Sequence, residues 1–255
     1  MSRADRLRPA RVTGAEERLD APTTHDPAIL EESLGHVTAV NRWLGGWRSV
    51  VLHLPAVLPA EGPARLLDVG TGSGEAAIVA AEWARRNGRE LHITATDANP
   101  AIVEIARRRT AGYSEIRVEA ADALALPYPD GAFHVAMLTL TLHHFEGEAA
   151  VRVLRELGRV ARGGIVVSDL DRSWANYLGA RLLAWTIWAR NPLTRHDGPL
   201  SVLRSYTRDE ILALAGEAGL RDARVHRHLF ERLVLTASGS AVGRTGRRSP
   251  HPEHD

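Results

Sequence analysis

The chain of 255 residues contains no cysteine and no lysine. Without cysteine it cannot form disulfides, thiolate metal sites or a cysteine nucleophile. Without lysine it cannot use the phosphate-binding lysine of a P-loop, a Schiff-base lysine or a lysine general base. The formal net charge is only +1. Because nucleic-acid binders usually carry a strong basic excess, the sequence predicts no nucleic-acid partner.

Long apolar runs are also missing. No uninterrupted apolar stretch reaches membrane length, and the N-terminal stretch MSRADRLRPARVTGAEERLD lacks the apolar centre of a signal peptide. We therefore expect a cytoplasmic protein without stable membrane insertion. The hydrophobic content of 44% suits a globular core.

The composition divides the chain into four parts. Residues 1–25 are charged and show no apolar period, which predicts a disordered arm, and residues 238–255 have the composition of a disordered tail. Residues 26–56 carry apolar side chains at helical spacing, interrupted by Gly45-Gly46, and predict helices that form a lid. Residues 57–237 remain for the main domain.

Strand and helix patterns alternate through the main domain. From Arg65 to Asp171, apolar strand-like runs are separated by helical runs, which predicts a mostly parallel sheet with right-handed crossovers. One helical run, EAAVRVLRELGRVARGG, is expected to close on its glycine pair. A helical, tryptophan-rich insertion follows over about residues 172–206. The last segments, RDARVHRHLF and ERLVLTAS, predict an antiparallel pair of strands.

The stretch LLDVGTGSGE at residues 66–75 places three glycines on alternate positions between the first strand and the first helix. Bare backbone lets a ligand approach closely, and a helix N-terminus favours a negative group. Asp97 and Asp122 follow the second and third strands, at the edge where ligands of open α/β sheets bind. For the glycines alone, a plain strand-to-helix turn is the alternative.

These stretches resemble the class I S-adenosylmethionine-dependent methyltransferases. LLDVGTGSGE is similar to the family's glycine motif, TATDANPAIVEIARRR to its second motif, and AADALALPYPDGAFHVAMLTLTLHHF to its third and fourth. RELGRVARGGIVVSDL resembles the family's helix, glycine pair and fifth strand. The resemblance covers about residues 60–171 and looks closest to the small-molecule branch with ubiquinone/menaquinone-type and natural-product O-methyltransferases. It implies a Rossmann-like, mostly parallel seven-stranded sheet with a C-terminal antiparallel strand, and S-adenosylmethionine as the cofactor.

The resemblance also implies roles for individual positions. Gly70 and Gly72 would admit the methionine part of the cofactor, with Asp68 near its amino group. Asp97 would take the ribose hydroxyls, and Asp122 would accept from the adenine amino group. The cofactor-binding positions implied in this way are Asp68, Gly70, Thr71, Gly72, Asp97, Ala98, Asp122, Ala123 and Thr139.

His143 and His144 follow the fourth strand in TLTLHHF, at the edge that faces the cofactor's methyl group in the family. An imidazole that titrates near neutrality could deprotonate a phenol or hydroxyquinone, so these two are the candidate catalytic bases. Alternatively, one histidine caps the strand and the other packs or faces water. No histidine pair shows metal-ligand spacing backed by a third acid, so we predict no metal site.

Two helical regions are candidates for the walls of the acceptor pocket. Beside the glycine break, Arg42 could reach the methionine carboxylate and Trp43 could contact the acceptor, although simple packing explains a tryptophan there equally well. In the insertion, Trp174, Tyr177 and Arg204 could form an aromatic and polar roof over a flat acceptor. The insertion could instead form a homodimer interface or rest on a membrane surface.

The sequence therefore predicts a methyltransferase of the secondary-metabolism type that acts on a small aromatic or quinone-like molecule, most simply on a phenolic hydroxyl. Two alternatives stay open. The same fold could bind S-adenosylmethionine for another reaction or for regulation. An NAD-dependent oxidoreductase would show the G-x-G-x-x-G spacing or a Tyr-x-x-x-Lys proton donor, and the chain has neither.

Overall fold

A computed structural model describes residues 8–20, 26–230 and 232–239. Within them, seven strands form a sheet in the order β3-β2-β1-β4-β5-β7-β6. The pairs from β3 to β5 are parallel, whereas β7 runs antiparallel to both β5 and β6. The predicted Rossmann-like, mostly parallel seven-stranded sheet with its antiparallel C-terminal pair is confirmed.

The bounds of the elements follow the sequence patterns closely. The strands are β1 (Ala64–Val69), β2 (Leu91–Asp97), β3 (Ile116–Ala120), β4 (Phe133–Thr139), β5 (Ala161–Leu170), β6 (Arg221–His228) and β7 (Arg232–Ser238). The helices are α1 (Pro27–Trp43), α2 (Gly46–Val51), α3 (Leu54–Val57), α4 (Glu75–Arg86), α5 (Pro100–Thr110), α6 (Glu148–Val160), α7 (Trp174–Trp185), α8 (Pro192–Arg204) and α9 (Arg208–Glu217).

The central strand β1 lies between β2 and β4. Its residues Leu66, Leu67 and Val69 are at most 1% exposed, as expected for a parallel strand covered by helices on both faces. From β1, the strands β2 and β3 extend the sheet to one side, and β4 then begins the other side. In such a sheet the crevice beyond the carboxyl ends of the strands, at this reversal of direction, is where ligands bind.

Local signals in the sequence account for where the helices begin. At the start of α5, the Asn99 side chain accepts a hydrogen bond from the N–H of Ala101 (2.9 Å), and Pro100 occupies the first helical position. At the start of α9, Thr207 and Glu210 form a reciprocal capping box. These caps satisfy N–H groups that have no partner inside the helix, so each helix begins where its cap residue lies.

The glycine pair after α6 differs from the prediction. The helix ends at Val160, and Gly163 and Gly164 lie inside β5 instead of closing the helix. A Cβ on Gly163 would lie 2.5 Å from the carbonyl oxygen of Val57 and 2.7 Å from that of His134. Gly163 is therefore needed because α3 and β4 approach the backbone of β5 too closely for a side chain.

The N-terminal segment also differs from the expectation of a disordered arm, because residues 8–20 lie against the insertion. The N–H of Val12 donates to the carbonyl of Leu203 (3.0 Å), at the end of α8. The N–H groups of Arg18 and Leu19 donate to the two carboxylate oxygens of Asp197, at 2.9 and 3.0 Å.

Charged side chains hold residues 8–20 at their N-terminal end as well. Arg8 forms an ion pair with the fully buried Asp171, directly after β5. The Nε of Arg172 donates to the carbonyl of Pro9 (3.0 Å). These partners lie more than 150 positions away in the sequence, which is why no local pattern predicted the contacts.

The predicted lid region consists of α1, α2 and α3, and Gly45, with a φ of +68°, breaks the first helix from the second. The side chain of Asn191, at the start of α8, donates to the carbonyl of Ile29 (3.1 Å) and to Glu32 (2.8 Å) in α1. The insertion and the N-terminal helices are thus joined by hydrogen bonds. Opening and closing of these helices as a lid stays a prediction.

The structure describes only part of the predicted N-terminal arm and C-terminal tail. Ser238, where the tail was placed by composition, is the last residue of β7. Residues 1–7 and 21–25 of the predicted arm and residues 240–255 of the predicted tail lie outside the described residues. Among the helices of the described ranges, none has the length and apolar character needed to cross a bilayer.

Candidate active site

The glycine loop between β1 and α4 adopts backbone angles that side chains avoid. Gly70, Gly72 and Gly74 have φ values of +64°, +55° and +80°. A Cβ on Gly70 would lie 2.6 Å from the side chain of Thr141, whereas the nearest atom to a Cβ on Gly72 is in Leu34, at 3.9 Å. The loop is therefore tightly packed at Gly70 and open at Gly72, where a ligand can reach the backbone.

Thr141 connects the glycine loop to the histidine pair. Its hydroxyl donates to the carbonyls of Gly70 (3.3 Å) and Thr139 (3.0 Å). The preceding residue, Leu140, has a φ of +56°, which is uncommon for a residue other than glycine. Strained backbone of this kind is found at functional sites. Here the turn places the short 3-10 helix Leu142–His144 beside the glycine loop.

Asp68 lies near the carboxyl end of β1 and is only 1% exposed. Its Oδ2 accepts a hydrogen bond from the hydroxyl of Thr71 (2.7 Å), and its Oδ1 has no hydrogen-bond partner among the described residues. Burial raises the pKa of Asp68 to about 7; the Thr71 hydrogen bond opposes this rise, and the negative charge of Asp97 adds to it. Asp68 therefore changes charge near neutral pH.

The raised pKa of Asp68 predicts a pH-dependent stability. Between the ordinary value of 3.8 and the folded value of about 7, the folded state binds more protons than the unfolded state, so stability falls as pH rises through this window. From about pH 5 to about pH 8, we expect Asp68 to account for a loss of about 2–3 kcal/mol. Asp68→Asn should remove that part of the slope in urea unfolding, whereas the exposed Asp122→Asn should not. Equal slopes for wild type and Asp68→Asn would contradict the assignment.

Asp97 ends β2, and its carboxylate holds two backbone N–H groups. Its Oδ2 accepts from Gly72 (3.1 Å) and its Oδ1 from Asn99 (3.0 Å). The carboxylate is therefore fixed beside the open part of the glycine loop, with the exposed Ala98 next to it. A carboxylate has about four acceptor sites, so holding the loop does not exclude binding ribose hydroxyls as well.

The ends of β3 and β4 carry the remaining implied cofactor positions. Asp122 is exposed, and its Oδ1 accepts from the N–H of Leu124 (2.8 Å), while Ala123 is buried. Thr139, the last residue of β4, is also buried, and its hydroxyl oxygen has no hydrogen-bond partner in the part of the chain that the structure describes. The predicted residues of β1 to β4 are thus gathered at one edge of the sheet.

Whether the site fits S-adenosylmethionine can be judged from two buried oxygens near this edge of the sheet. Asp68 Oδ1 and Thr139 Oγ1 lie on the adjacent strands β1 and β4, and neither has a hydrogen-bond partner among the described residues. Leaving a buried polar atom unpaired costs about 1–3 kcal/mol, so these atoms indicate a polar ligand. With the open backbone at Gly72, they fit the amino-acid end of the cofactor.

His143 forms a buried pair with Asp169, near the end of β5. The N–H of His143 donates to Asp169 Oδ2 (3.0 Å), and its Nδ1 lies 2.7 Å from Asp169 Oδ1. Burial alone would raise the pKa of Asp169, but the His143 imidazole, the Leu170 N–H and Arg232 together hold it below its ordinary value. Asp169 is therefore ionised and can only accept at Oδ1, so Nδ1 of His143 carries a proton and Nε2 is the ring nitrogen left to exchange one.

A second carboxylate faces the histidine pair from the N-terminal segment. Glu17 is 3% exposed; its Oε1 lies 3.6 Å from Nε2 of His143, and its Oε2 lies 3.9 Å from Nε2 of His144. The two imidazoles lie side by side, with ring centroids 4.4 Å apart. His144 keeps 18% of its side chain exposed and marks the side on which the cluster reaches solvent.

Arg204 is the predicted substrate residue that lies beside this cluster. It is 4% exposed, and its Nη2 donates to the carbonyl of His144 (2.8 Å). Within the described ranges, its Nε and Nη1 are buried without a hydrogen-bond partner. A guanidinium with unsatisfied N–H groups can bind the oxygens of an acceptor molecule.

Arg42 and Trp43 are placed differently from the prediction. Arg42 is 70% exposed and pairs with the buried Glu75 (3.1 Å), at the start of α4. Trp43, the last residue of α1, is 91% exposed, so its position does not support a contact with the acceptor. The reason is that α1 packs through another face, which carries the buried Leu30 and Leu34.

The insertion presents its aromatic residues at its surface more than expected. Trp174 is 51% exposed and contacts Tyr177 edge-on, with ring centroids 6.0 Å apart. Tyr177 packs partly against the buried cluster between α7 and α8. A groove along α7 is lined by Tyr177, Leu178, Arg181, Leu182 and Trp185. The roles of Trp174 and Tyr177 as acceptor contacts stay predictions.

The sequence interpretation missed three residues of the site. Asp169 follows the pattern of carboxylates at strand ends, so the stretch IVVSDLD contained a signal for it. Thr141 also lies in the quoted fourth motif. Glu17 gave no signal, because it lies in a charged segment without apolar periodicity and reaches the site only through tertiary contacts.

Comparison with known proteins links this geometry to a family. Residues 66–164 match the family described as "Methyltransferase domain". The match runs from β1 into β5, so it includes the glycine loop, the carboxylates that follow β2 and β3, and the histidine pair.

Two curated relatives show the same relationship. A demethylmenaquinone methyltransferase of Thermus thermophilus is 39% identical over 107 residues, which are 41% of this chain and 46% of the relative. A 27-O-demethylrifamycin SV methyltransferase of Amycolatopsis mediterranei is 34% identical over 122 residues, 45% of this chain and 43% of the relative. Each match spans less than half the length of the relative.

Solved structures share the fold over a larger part of the chain. Human N-acetylserotonin methyltransferase, in complex with SAM, gives a TM-score of 0.61 at 19% identity, over 84% of this chain and 56% of that one. A SAM-dependent methyltransferase from Aquifex aeolicus gives 0.55 at 17% identity, over 84% and 98%. At these identities the likeness shows a common fold.

Proposed function

We propose that this protein, whose residues 66–164 form a class I S-adenosylmethionine-dependent methyltransferase domain of the small-molecule branch, methylates an oxygen of a small aromatic or quinone-like acceptor. S-adenosylmethionine is the cofactor of this domain. The observation that carries the proposal is the buried Asp169–His143 pair, which Thr141 joins to the glycine loop.

The cofactor side of the site would use residues from three strands. Gly72 offers open backbone, Asp68 an unpaired oxygen for the amino group, and Asp97 a fixed carboxylate for the ribose. When bound, S-adenosylmethionine supplies an activated methyl group whose bond to sulfur breaks, with its electron pair remaining on sulfur, as the bond to the acceptor oxygen forms. Holding both reactants in line can contribute about 7–11 kcal/mol, so positioning is the main task of these residues.

His143 would receive the proton of the acceptor. Because Asp169 holds the Nδ1–H, the Nε2 lone pair can take the proton from a phenolic or quinol hydroxyl as the oxygen is methylated. The resulting imidazolium would lie between two carboxylates, Asp169 and Glu17. General base catalysis of this kind contributes about 10²–10⁴-fold.

The polar groups around the histidines support an acceptor that carries oxygens. Two nitrogens of Arg204, Nε and Nη1, are buried without a partner in the described part of the chain, and their N–H groups suit a phenolate or a quinone carbonyl. The names of the relatives point to the same chemical class, since one names a menaquinone precursor and the other an O-demethyl form of a rifamycin. Another relative is named a C-methyltransferase, so a carbon acceptor is the second candidate.

Calorimetric titration with S-adenosylmethionine, S-adenosylhomocysteine and NADH tests the proposal first. We expect micromolar binding of the first two and none of NADH, since the loop lacks the dinucleotide spacing. Phenols and quinols are then screened by product mass and by the position of the new methyl group. A methyl on carbon would select the second candidate, and binding without any methylated product would favour a different reaction or a regulatory role.

A further inference from the structure

Glu17 lies close to the adjacent residues His143 and His144, although it is far from them in the sequence. Each offers one ligand atom, and these atoms all lie within 4.8 Å of one another. We propose that these three side chains form a binding site for a divalent cation of the Zn²⁺ type. Two imidazole nitrogens and one carboxylate oxygen are the ligand set of several catalytic zinc sites.

The distances favour a cation over direct hydrogen bonds. The gaps of 3.6 Å from Glu17 to His143 and 3.9 Å from Glu17 to His144 exceed hydrogen-bond length. Ligand atoms about 2.0–2.2 Å from a tetrahedral Zn²⁺ lie about 3.3–3.6 Å from one another. The two gaps involve different oxygens of Glu17, and the three ligand atoms lie within 4.8 Å of one another, so inward movements of about 1 Å would complete the site.

The surroundings of His143 match those of a metal-binding histidine. Such a histidine usually donates its other ring N–H to a carboxylate, which fixes the tautomer and the direction of the lone pair. Here Asp169 occupies that place, 2.7 Å from Nδ1, and it is held by backbone as well. The Nε2 lone pair of His143 is thus on the side of Glu17.

Glu17 supplies the independent observation that points to a cation. It is 97% buried, and its Oε1 has no hydrogen-bond partner among the residues that the structure describes. A buried carboxylate oxygen without a partner is costly, and a cation between it and the imidazoles would offset that cost. The backbone next to Glu17 is fixed, because the N–H groups of Arg18 and Leu19 are bound to Asp197.

A cation at this site would change the role of His143. Three protein ligands leave one coordination position open, and a hydroxyl oxygen bound there loses its proton to solvent more readily. Because the cation would occupy the Nε2 lone pair of His143, its binding excludes the base role proposed for His143, which belongs to the metal-free chain. Activation of the acceptor by the cation rests on the proposed function, whereas binding of the cation does not.

Titration of the chelator-treated full chain with Zn²⁺, and with Co²⁺ followed by its visible absorption, tests the site directly. No S-adenosylmethionine or acceptor is added, so failure here is distinct from failure of the methyltransferase proposal. We expect one tight site per chain. Glu17→Gln and His144→Gln should each weaken it by at least about tenfold, and Asp169→Asn by about 10–100-fold through His143.

Two control variants separate this site from other histidines. His92→Gln removes an exposed imidazole paired with Glu90 at 3.0 Å, and His228→Gln breaks a histidine pair with His53 at 2.9 Å. Both should leave the tight site unchanged. Absence of an equimolar site in the wild type, or its loss in either control, would overturn the proposal. If circular dichroism shows that Glu17→Gln does not fold, the test is made with His144→Gln, since His144 is partly exposed.

Discussion

Asp169→Asn is expected to lower kcat for methyl transfer by about 10²–10⁴-fold while leaving affinity for S-adenosylmethionine unchanged. The carboxylate of Asp169 accepts from Nδ1 of His143 at 2.7 Å, which keeps the lone pair on Nε2. An asparagine amide can donate to Nδ1 instead, and the imidazole would then carry its proton on Nε2, where it cannot accept one. His143→Gln should have an effect of the same order, because it removes the base itself.

The measurement is single-turnover product formation with saturating cofactor, from about pH 6 to about pH 9, beside calorimetry of cofactor binding. Asp130→Asn is the matched control, since Asp130 is exposed and outside the site. Wild-type rates for both Asp169→Asn and His143→Gln across this range would exclude His143 as the base. A loss of cofactor affinity equal to the loss of rate would indicate a structural role instead.

Asp97→Ala is expected to weaken S-adenosylmethionine binding by at least about tenfold. A hydrogen bond to a charged group contributes about 1.5–3 kcal/mol, and about 1.4 kcal/mol corresponds to a factor of ten. The substitution would remove the proposed acceptor of the ribose hydroxyls and also release the N–H of Gly72, which Asp97 holds at 3.1 Å. Both losses act on the cofactor side of the site.

Calorimetric Kd values for S-adenosylmethionine and S-adenosylhomocysteine check this result. Asp97→Asn keeps one amide oxygen as an acceptor and should lie between the wild type and the alanine variant. Asp130→Ala, again exposed and remote, serves as the control. An unchanged Kd for Asp97→Ala would remove the placement of the ribose at the end of β2.

The fold could be predicted from sequence because its signals are local. Proline at the start of α5, the asparagine cap before it and the capping box of α9 each fix a helix end through neighbouring residues. The cofactor side was predictable for a related reason. Parallel strands share one carboxyl edge, so residues such as Asp68 and Asp97 at the ends of neighbouring strands must come together.

The errors of the sequence interpretation concern contacts between distant segments. A glycine pair such as Gly163-Gly164 is typical of a helix end, but here the close approach of Val57 and His134 is what requires Gly163. Helical spacing identified α1 correctly, yet it did not reveal which residues face the site, and Trp43 turned out to be exposed. Residues 8–20 lack apolar periodicity because charged and backbone hydrogen bonds, rather than an apolar face, hold them in place.

The sequence by itself determined the sheet, the glycine loop and the cofactor, since strand periods, turn glycines and carboxylates at strand ends act over short stretches of chain. It also placed His143 and His144 after β4. Only the tertiary structure decided what surrounds them. Asp169 comes from the neighbouring strand β5, and Glu17 lies 126 positions before His143 and is held there by Asp197 of α8. Such a cluster depends on how separate elements pack, and no local pattern encodes that packing.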